Sequence, residues 1–171
     1  MVEIHRQWFD SWAEFKTRFP TILTEWGSGP IYGRYIFRGQ ASSGWHLTSA
    51  FDRKFAGTNI TDRQKRFEQW LAWFRDELSK FQPEYSPNDT VKAIAFAQHN
   101  GLPTRLLDWS SSPYIAAYFA YWERFIQRIE VDDPHVAIWA IEEKRFDDTN
   151  PKSDVEILRP IDNQNHRMRN Q

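Results

Sequence analysis

The strongest constraint on the fold is an apolar stripe in which residues recur at steps of three and four. Its members are Phe67, Trp70, Leu71, Phe74, Leu78 and Phe81. This spacing predicts one long amphipathic helix whose aromatic face must be buried against other elements. The capping-box spacing of Thr61-Asp62-Arg63-Gln64 predicts where the helix begins, and Pro83 predicts that it ends before that residue.

The N-terminal third of the chain carries signals for a helix, a turn and a strand. A capping box at Ser11-Trp12-Ala13-Glu14 predicts a helix that runs to about Phe19, because Pro20 would interrupt it. Gly27-Ser28-Gly29-Pro30 has the composition of a turn. The aromatic and β-branched residues from Tyr32 to Phe37 predict a strand that ends at Arg38-Gly39.

Two shorter helices are expected in the second half of the chain, after a loop over 83–88. One begins near Asp89 and reaches Gln98-His99, where Asn100-Gly101 supplies a left-handed stop. The other begins at Ser112-Pro113, which has the order of an N-cap followed by proline at the first helical position. These signals bring the number of predicted helices to four.

Two later segments, Val136–Ile141 and Val155–Leu158, are rich in β-favouring residues and predict further strands. The pattern of elements predicts an α+β fold, with a small mixed or antiparallel sheet flanked by about four helices. Because the chain has 171 residues and no domain-sized linker, we expect a single domain over 1–171 with a helical lead-in over about 1–30.

Composition excludes several classes of function. With no cysteine, the chain has no disulfide, no catalytic thiol and no cysteine-based zinc site. The five histidines lack the i, i+4 spacing of a zinc motif, so no metal site is predicted. The net charge of −1 gives no general attraction for nucleic acid or an anionic membrane. No apolar run approaches the ~18 residues of a spanning helix, and we expect a soluble cytoplasmic protein.

Three segments resemble the FRG domain family in order and spacing. They are Phe37-Arg38-Gly39-Gln40 with Trp45-His46-Leu47 and Arg53, then Ala97–Ser110, and finally Ser112-Pro113 with Ile115–Ala120. The tail Asn165–Gln171 is similar to the closing segment of the family. Family members continue with a Gly- and Phe-containing stretch after that segment, so we expect the last strand of the domain to lie beyond Gln171 or to be truncated.

A second resemblance is to the ADP-ribosyltransferase fold. Phe37-Arg38-Gly39, the serines at 110–112 leading into a helix, and Asp154-Val155-Glu156 followed by aliphatic residues and a proline occur in the order of that fold. The resemblance implies that Arg38 holds the phosphates of NAD, that a serine among Ser110 to Ser112 supports the nicotinamide ribose, and that Glu156 stabilises the oxocarbenium-like centre. It also implies an effector in a bacterial or phage conflict system. The segment from Gln98 to Arg105 has no counterpart in that fold.

Arg38 is the centre of the expected site. Its planar guanidinium suits a phosphate or a carboxylate, and Gly39 lets another group approach the backbone closely. With Gln40, these residues are expected to bind a ligand. The alternative is that Arg38 pairs with an internal acid, for which Asp108 is the first choice.

The second of the three FRG-like segments, Ala97–Ser110, supplies most of the other candidate side chains, and we call it the second motif. His99 lies at a predicted helix end and is a candidate acid or base, or else it hydrogen-bonds carbonyls of the neighbouring loop. Gln98, Thr104, Arg105 and Asp108 are expected to form a binding wall beside the next helix start. Ser110 and Ser112 are also expected to bind the ligand, although capping alone would account for Ser112.

Three functional hypotheses follow. The first is an NAD-dependent ADP-ribosyltransferase-like enzyme, with Arg38 as the anchor and Glu156 as the catalytic residue. The second is a non-catalytic module that binds a nucleotide or a protein partner. The third is a nuclease-like effector in which His99 acts with Asp108 or Glu156 as acid and base.

Overall fold

The computed structural model describes residues 4–26, 35–82 and 89–143, together with Ile157. The described elements are α1 (Trp12–Trp26), β1 (Tyr35–Gln40), α2 (Ala50–Lys54), α3 (Ile60–Phe81), α4 (Thr90–His99), α5 (Pro113–Tyr121), a π-helical turn (Trp122–Ile126) and β2 (Ala137–Glu142). Helices and an antiparallel strand pair thus form a small α+β fold, which confirms the predicted class. The predicted turn at 27–30, the loop at 83–88 and the strand Val155–Leu158 lie outside the described residues, apart from Ile157.

The centre of the fold is β1, which has neighbours on both edges. It pairs antiparallel with β2, so that Arg38 lies opposite Trp139 and Gly39 opposite Ile138. On its other edge, Phe37 exchanges two backbone hydrogen bonds with Ser110, at 2.7 and 2.8 Å. The strand extends through Gln40, one residue beyond the predicted end, because the pairing with β2 continues there.

The first hydrophobic cluster joins α1, β1 and α5. Phe15, Phe19 and Leu23 of α1 are buried against Phe37 of β1 and Ala116 of α5. The predicted end of α1 at Phe19 is wrong, because the helix continues through Pro20 to Trp26. A proline at this position removes one backbone hydrogen bond, but the buried residues on both sides of Pro20 hold the helix together.

The second cluster lies between α2 and α3, where Phe51, Phe67 and Leu71 are buried with Trp70 beside them. The stripe on α3 is therefore confirmed as a core face, except that Phe81 at its end is 80% exposed. The predicted cap at Thr61 is wrong. The helix begins two residues earlier, where the Asn59 side chain accepts a hydrogen bond from the Asp62 amide at 2.8 Å.

Both helices of the second half begin as predicted, and α4 also ends as predicted. Asp89 caps α4, and Gly101 after its end has a positive φ of 76°. Ser112 caps α5, with Pro113 as its first residue. The short helix α2 was not predicted, since its five residues give too little periodicity to detect. Among the described helices, none is long and apolar enough to cross a membrane.

Candidate functional site

Arg38 lies half-buried on β1, and among the described residues only one of its donor nitrogens has a hydrogen-bond partner. Its Nη1 donates a hydrogen bond to the backbone carbonyl of Asp108 at 2.9 Å. Its Nε is buried and has no hydrogen-bond partner among the described residues. Burial lowers the pKa of the Arg38 guanidinium, and the negative charges of Asp108 and Glu123 oppose this effect. The side chain is thus a cation anchored at one nitrogen, and its other nitrogens have no hydrogen-bond partner among the described residues.

The carboxylate of Asp108 is held by Gln98 rather than by Arg38. Nε2 of Gln98 lies 3.1 Å from Oδ1 and 3.0 Å from Oδ2 of Asp108. The amide oxygen of Gln98 in turn accepts a hydrogen bond from the hydroxyl of Thr104, which is fully buried. The expected pairing of Arg38 with Asp108 therefore runs through the backbone carbonyl, because Gln98 already binds the side chain.

Gly39 and Gln40 serve the scaffold. A Cβ on Gly39 would lie 1.9 Å from the carbonyl oxygen of Ala116, so α5 packs directly on the strand backbone at this point. Gln40 is buried, with its oxygen accepting from the indole of Trp139 at 2.6 Å and its amide donating to the carbonyl of His46 at 3.2 Å. Both residues place Arg38, and their own polar groups are engaged within the protein.

Arg105 takes its partners from α2 and α3, not from the network around Arg38. Its Nε lies 3.3 Å from Oδ2 of Asp52, and Nη1 donates to the amide oxygen of Gln64. Its guanidinium also lies 5.9 Å from the ring centre of Phe67. These contacts tie the second motif to the helical cluster and occupy the side chain that was expected to bind a ligand.

The serines before α5 also make structural contacts. Ser110 is buried, and its hydroxyl oxygen accepts a hydrogen bond from the Ser112 amide at 3.1 Å. The Ser112 hydroxyl caps α5 through the Ile115 amide at 3.5 Å. Both hydroxyl oxygens thus accept hydrogen bonds from backbone amides at the start of α5, and Ser112 is its cap.

Of the two candidate catalytic residues, the structure describes His99. His99 is exposed at the end of α4, and none of the described residues hydrogen-bonds its ring. Glu156 lies outside the described residues. Their proposed roles stay predictions. Among the described residues, no group of three or more His, Cys, Asp or Glu side chains could hold a metal ion.

Two further charged residues lie near Arg38, and one of them, Glu123, had no signal in the sequence. Glu123 lies half-buried in the π-helical turn, and its charge raises the pKa of Arg38, whereas Arg53 lowers it. The Glu123 carboxylate accepts no hydrogen bond from the described part of the chain. No sequence pattern could have placed Glu123, because a π-turn changes the direction in which helical side chains project.

Comparison with known proteins agrees with this arrangement of motifs. The family model of the FRG domain matches residues 33–127, which is more than half of the chain and extends from β1 through the π-helical turn. No curated protein and no solved structure matches the chain. The matched segment contains Arg38, its Asp108 partner and the Gln98–Thr104 network, and on this ground the chain belongs to the FRG domain family.

Proposed function

We propose that this FRG domain binds the phosphate groups of a nucleotide at Arg38, and that NAD or ADP-ribose is the class of ligand. The observation that carries the proposal is which nitrogens of the Arg38 guanidinium already have a hydrogen-bond partner. One nitrogen is fixed by the Asp108 carbonyl, while the opposite edge, formed by Nε and Nη2, has no hydrogen-bond partner among the described residues. That edge is the planar fork with which arginine binds phosphate in a bidentate manner.

Energetics favour a ligand at this edge. A buried donor without a partner costs about 1–3 kcal/mol, and a phosphate oxygen would offset that cost. Gln98 holds both oxygens of Asp108, so this carboxylate does not compete for the free edge. Since Nε lies below the surface, we expect the ligand to displace a neighbouring side chain as it binds.

The affinity of Arg38 variants tests the proposal. NAD and ADP-ribose are titrated calorimetrically into the full chain and into Arg38→Lys, which keeps the charge but loses the fork. We expect the variant to keep its melting temperature and to lose at least about tenfold in affinity, or ~1.4 kcal/mol.

Arg105→Lys is the matched control, because Arg105 belongs to the second motif but pairs with Asp52 and Gln64. Its affinity for both compounds should equal that of the unaltered chain. Equal affinity of Arg38→Lys and the unaltered chain, or no binding of either compound, would contradict the proposal.

Two versions of this function differ in chemistry. In the transferase version, Glu156 stabilises the oxocarbenium-like centre of NAD, and the protein acts as an effector in a bacterial or phage conflict system. In the second version the domain binds its ligand without turnover. The hydroxyl oxygens of Ser110 and Ser112 already accept hydrogen bonds from backbone amides, so in the transferase version their O–H groups would donate to the nicotinamide ribose.

Incubation with labelled NAD and cell extract separates the two versions. Loss of NAD and transfer of label, both abolished in Glu156→Gln, would select the transferase. Measurable NAD affinity without turnover would select the binding module. Removing one positioned electrostatic group of this kind lowers a rate by about 10²–10³.

A further inference from the structure

We propose that the chain has a second ligand site, separate from Arg38, which takes a ring compound carrying a phosphate group, of the class of nucleoside monophosphates. The site is a groove of about 500 Å³ between α2, α3 and the Leu102-Pro103 segment. Small-molecule sites have volumes of roughly 300–1,000 Å³, so the groove suits a ligand of this size. None of the residues of the Arg38 network lines it.

The floor of the groove is formed largely by aromatic side chains. Trp70 stacks between Phe67 and Phe74, with ring centres 5.6 and 5.4 Å away, and these contacts fix its plane. Trp73, one turn further along α3, also lines the groove and is 60% exposed. The two phenylalanines cover the faces of Trp70, so the exposed indole of Trp73 is the surface on which a planar ligand can stack.

The rim of the groove is positively charged. Lys54 and Arg66 line it, and neither forms an ion pair with a described residue. The Arg66 guanidinium lies 5.7 Å from the ring centre of Phe55, which orients it beside the groove. None of the described lining residues is acidic. Because the whole chain has a net charge of −1, this local pair of cations is not part of a general basic surface.

Rings and cations together select the ligand class. An apolar ligand would leave both cations without partners, and a free phosphate would leave the exposed indole in water. A base with a phosphate group satisfies both, and the Gln69 amide, which also lines the groove, can donate to and accept from the edge of a base. The site does not rest on the function proposed for Arg38.

The test follows the indole signal of Trp73 by nuclear magnetic resonance, assigned by its loss in Trp73→Phe. The full chain is titrated with 5′-AMP, adenosine and inorganic phosphate. We expect AMP to shift this signal at a concentration at least about tenfold lower than adenosine or phosphate does. In Arg66→Glu the AMP affinity should fall at least about tenfold, and the adenosine affinity should stay unchanged.

Two variants serve as controls. Lys65→Glu makes the same change of charge on the neighbouring residue of α3, and Arg38→Lys alters only the first site; both should leave the AMP titration of Trp73 unchanged. If Arg38→Lys removes the shift, the ligand binds at Arg38 and the second site is disproved. An unchanged Trp73 signal at about 10 mM AMP, or equal affinity for AMP and adenosine, would also overturn the proposal. An acidic tryptophan-containing peptide is titrated in the same way, and tighter binding of this peptide than of AMP would overturn it as well.

Discussion

At the scale of single residues, the position of Arg38 depends on a glycine next to it. Gly39 pairs with Ile138 of β2 while the backbone of α5 lies against its Cα. No other residue leaves room for the Ala116 carbonyl at this point. Gly39 is therefore required because a helix packs closely on the strand at this point, and not because the backbone adopts an unusual angle.

Gly39→Ala should destabilise the fold by more than about 3 kcal/mol, because the added Cβ meets backbone atoms that cannot move aside. Urea unfolding followed by circular dichroism measures the change. Gly57→Ala is the control, since its Cβ would have nothing within 4 Å and should change stability by no more than about 1 kcal/mol. Similar effects of the two substitutions would contradict this account of Gly39.

Asp133 is a second residue whose surroundings matter, because its hydrogen bonds lower the pKa of its carboxyl group. Its Oδ2 accepts hydrogen bonds from the Ser42 and Ser43 hydroxyl groups and from the Gly44 amide at 2.8–2.9 Å. The hydrogen bond from the His135 amide, followed by those from the serines and the glycine, lowers the pKa of this carboxyl far below its usual value. The side chain thereby joins the loop after β1 to the segment before β2.

We expect the stabilising effect of Asp133 to depend on acid pH. Since the folded-state pKa is lowered, its contribution is complete above the unfolded value of about 4 and declines as the pH falls towards the folded value. The stability difference between the unaltered chain and Asp133→Asn should therefore be constant from pH 7 to about 5 and shrink below about 4. Urea unfolding of both proteins at each pH checks this, and a difference that grows on acidification would refute it.

At the scale of elements, local contacts decide where each helix begins. The Asn59 and Asp62 side chains of α3 form a reciprocal arrangement, in which Asn59 Nδ2 also donates to Asp62 Oδ2 at 2.7 Å. In α1, by contrast, the buried face from Phe15 to Leu23 outweighs the proline that should have ended the helix. Capping sets the first turn of α3, whereas packing sets the length of α1.

The cap of α3 gives a prediction with a built-in comparison. Asn59→Ala should lower the free energy of unfolding by about 1 kcal/mol, because the Asp62 amide loses its acceptor. Thr61→Ala should change it by less than about 0.5 kcal/mol, because Thr61 is exposed and does not cap the helix. Urea unfolding of both variants measures these values, and a larger effect at Thr61 would restore the cap predicted from the sequence.

At the scale of the whole molecule, the second motif connects the two hydrophobic clusters. The Thr104 carbonyl accepts from the Phe51 amide at 3.1 Å, on the side of α2 and α3. Six residues later, Ser110 pairs with Phe37 of β1. Arg105 adds its contact to Asp52. A segment that is bonded to both clusters should make them unfold together.

Cooperative unfolding can be tested with one variant in each cluster. Leu23→Ala and Leu71→Ala should each destabilise by about 2–5 kcal/mol and shift one common transition. Far- and near-ultraviolet circular dichroism should give the same midpoint for each protein. Two separate transitions, of which each variant shifts only one, would show that the clusters fold independently.

The sequence by itself determined the features that depend on residues close to one another along the chain. The stripe on α3, the cap and proline of α5 and the glycine after α4 were predicted, because periodicity and capping involve residues at most a few positions apart. The motifs around Arg38 also pointed to the FRG family, because they are short runs of residues whose order and spacing can be compared directly.

Only the tertiary structure decided which group each polar side chain contacts. Arg38 meets the carbonyl of Asp108, Gln40 meets Trp139, and Arg105 meets Asp52, and each of these partners is more than 50 residues away in the sequence. Such pairs depend on how distant elements pack, and residue type alone cannot distinguish a carbonyl from a carboxylate of the same aspartate. For this reason the sequence pointed to Arg38 as the anchor, and the packing of β1 against the second motif left one edge of its guanidinium without a hydrogen-bond partner among the described residues.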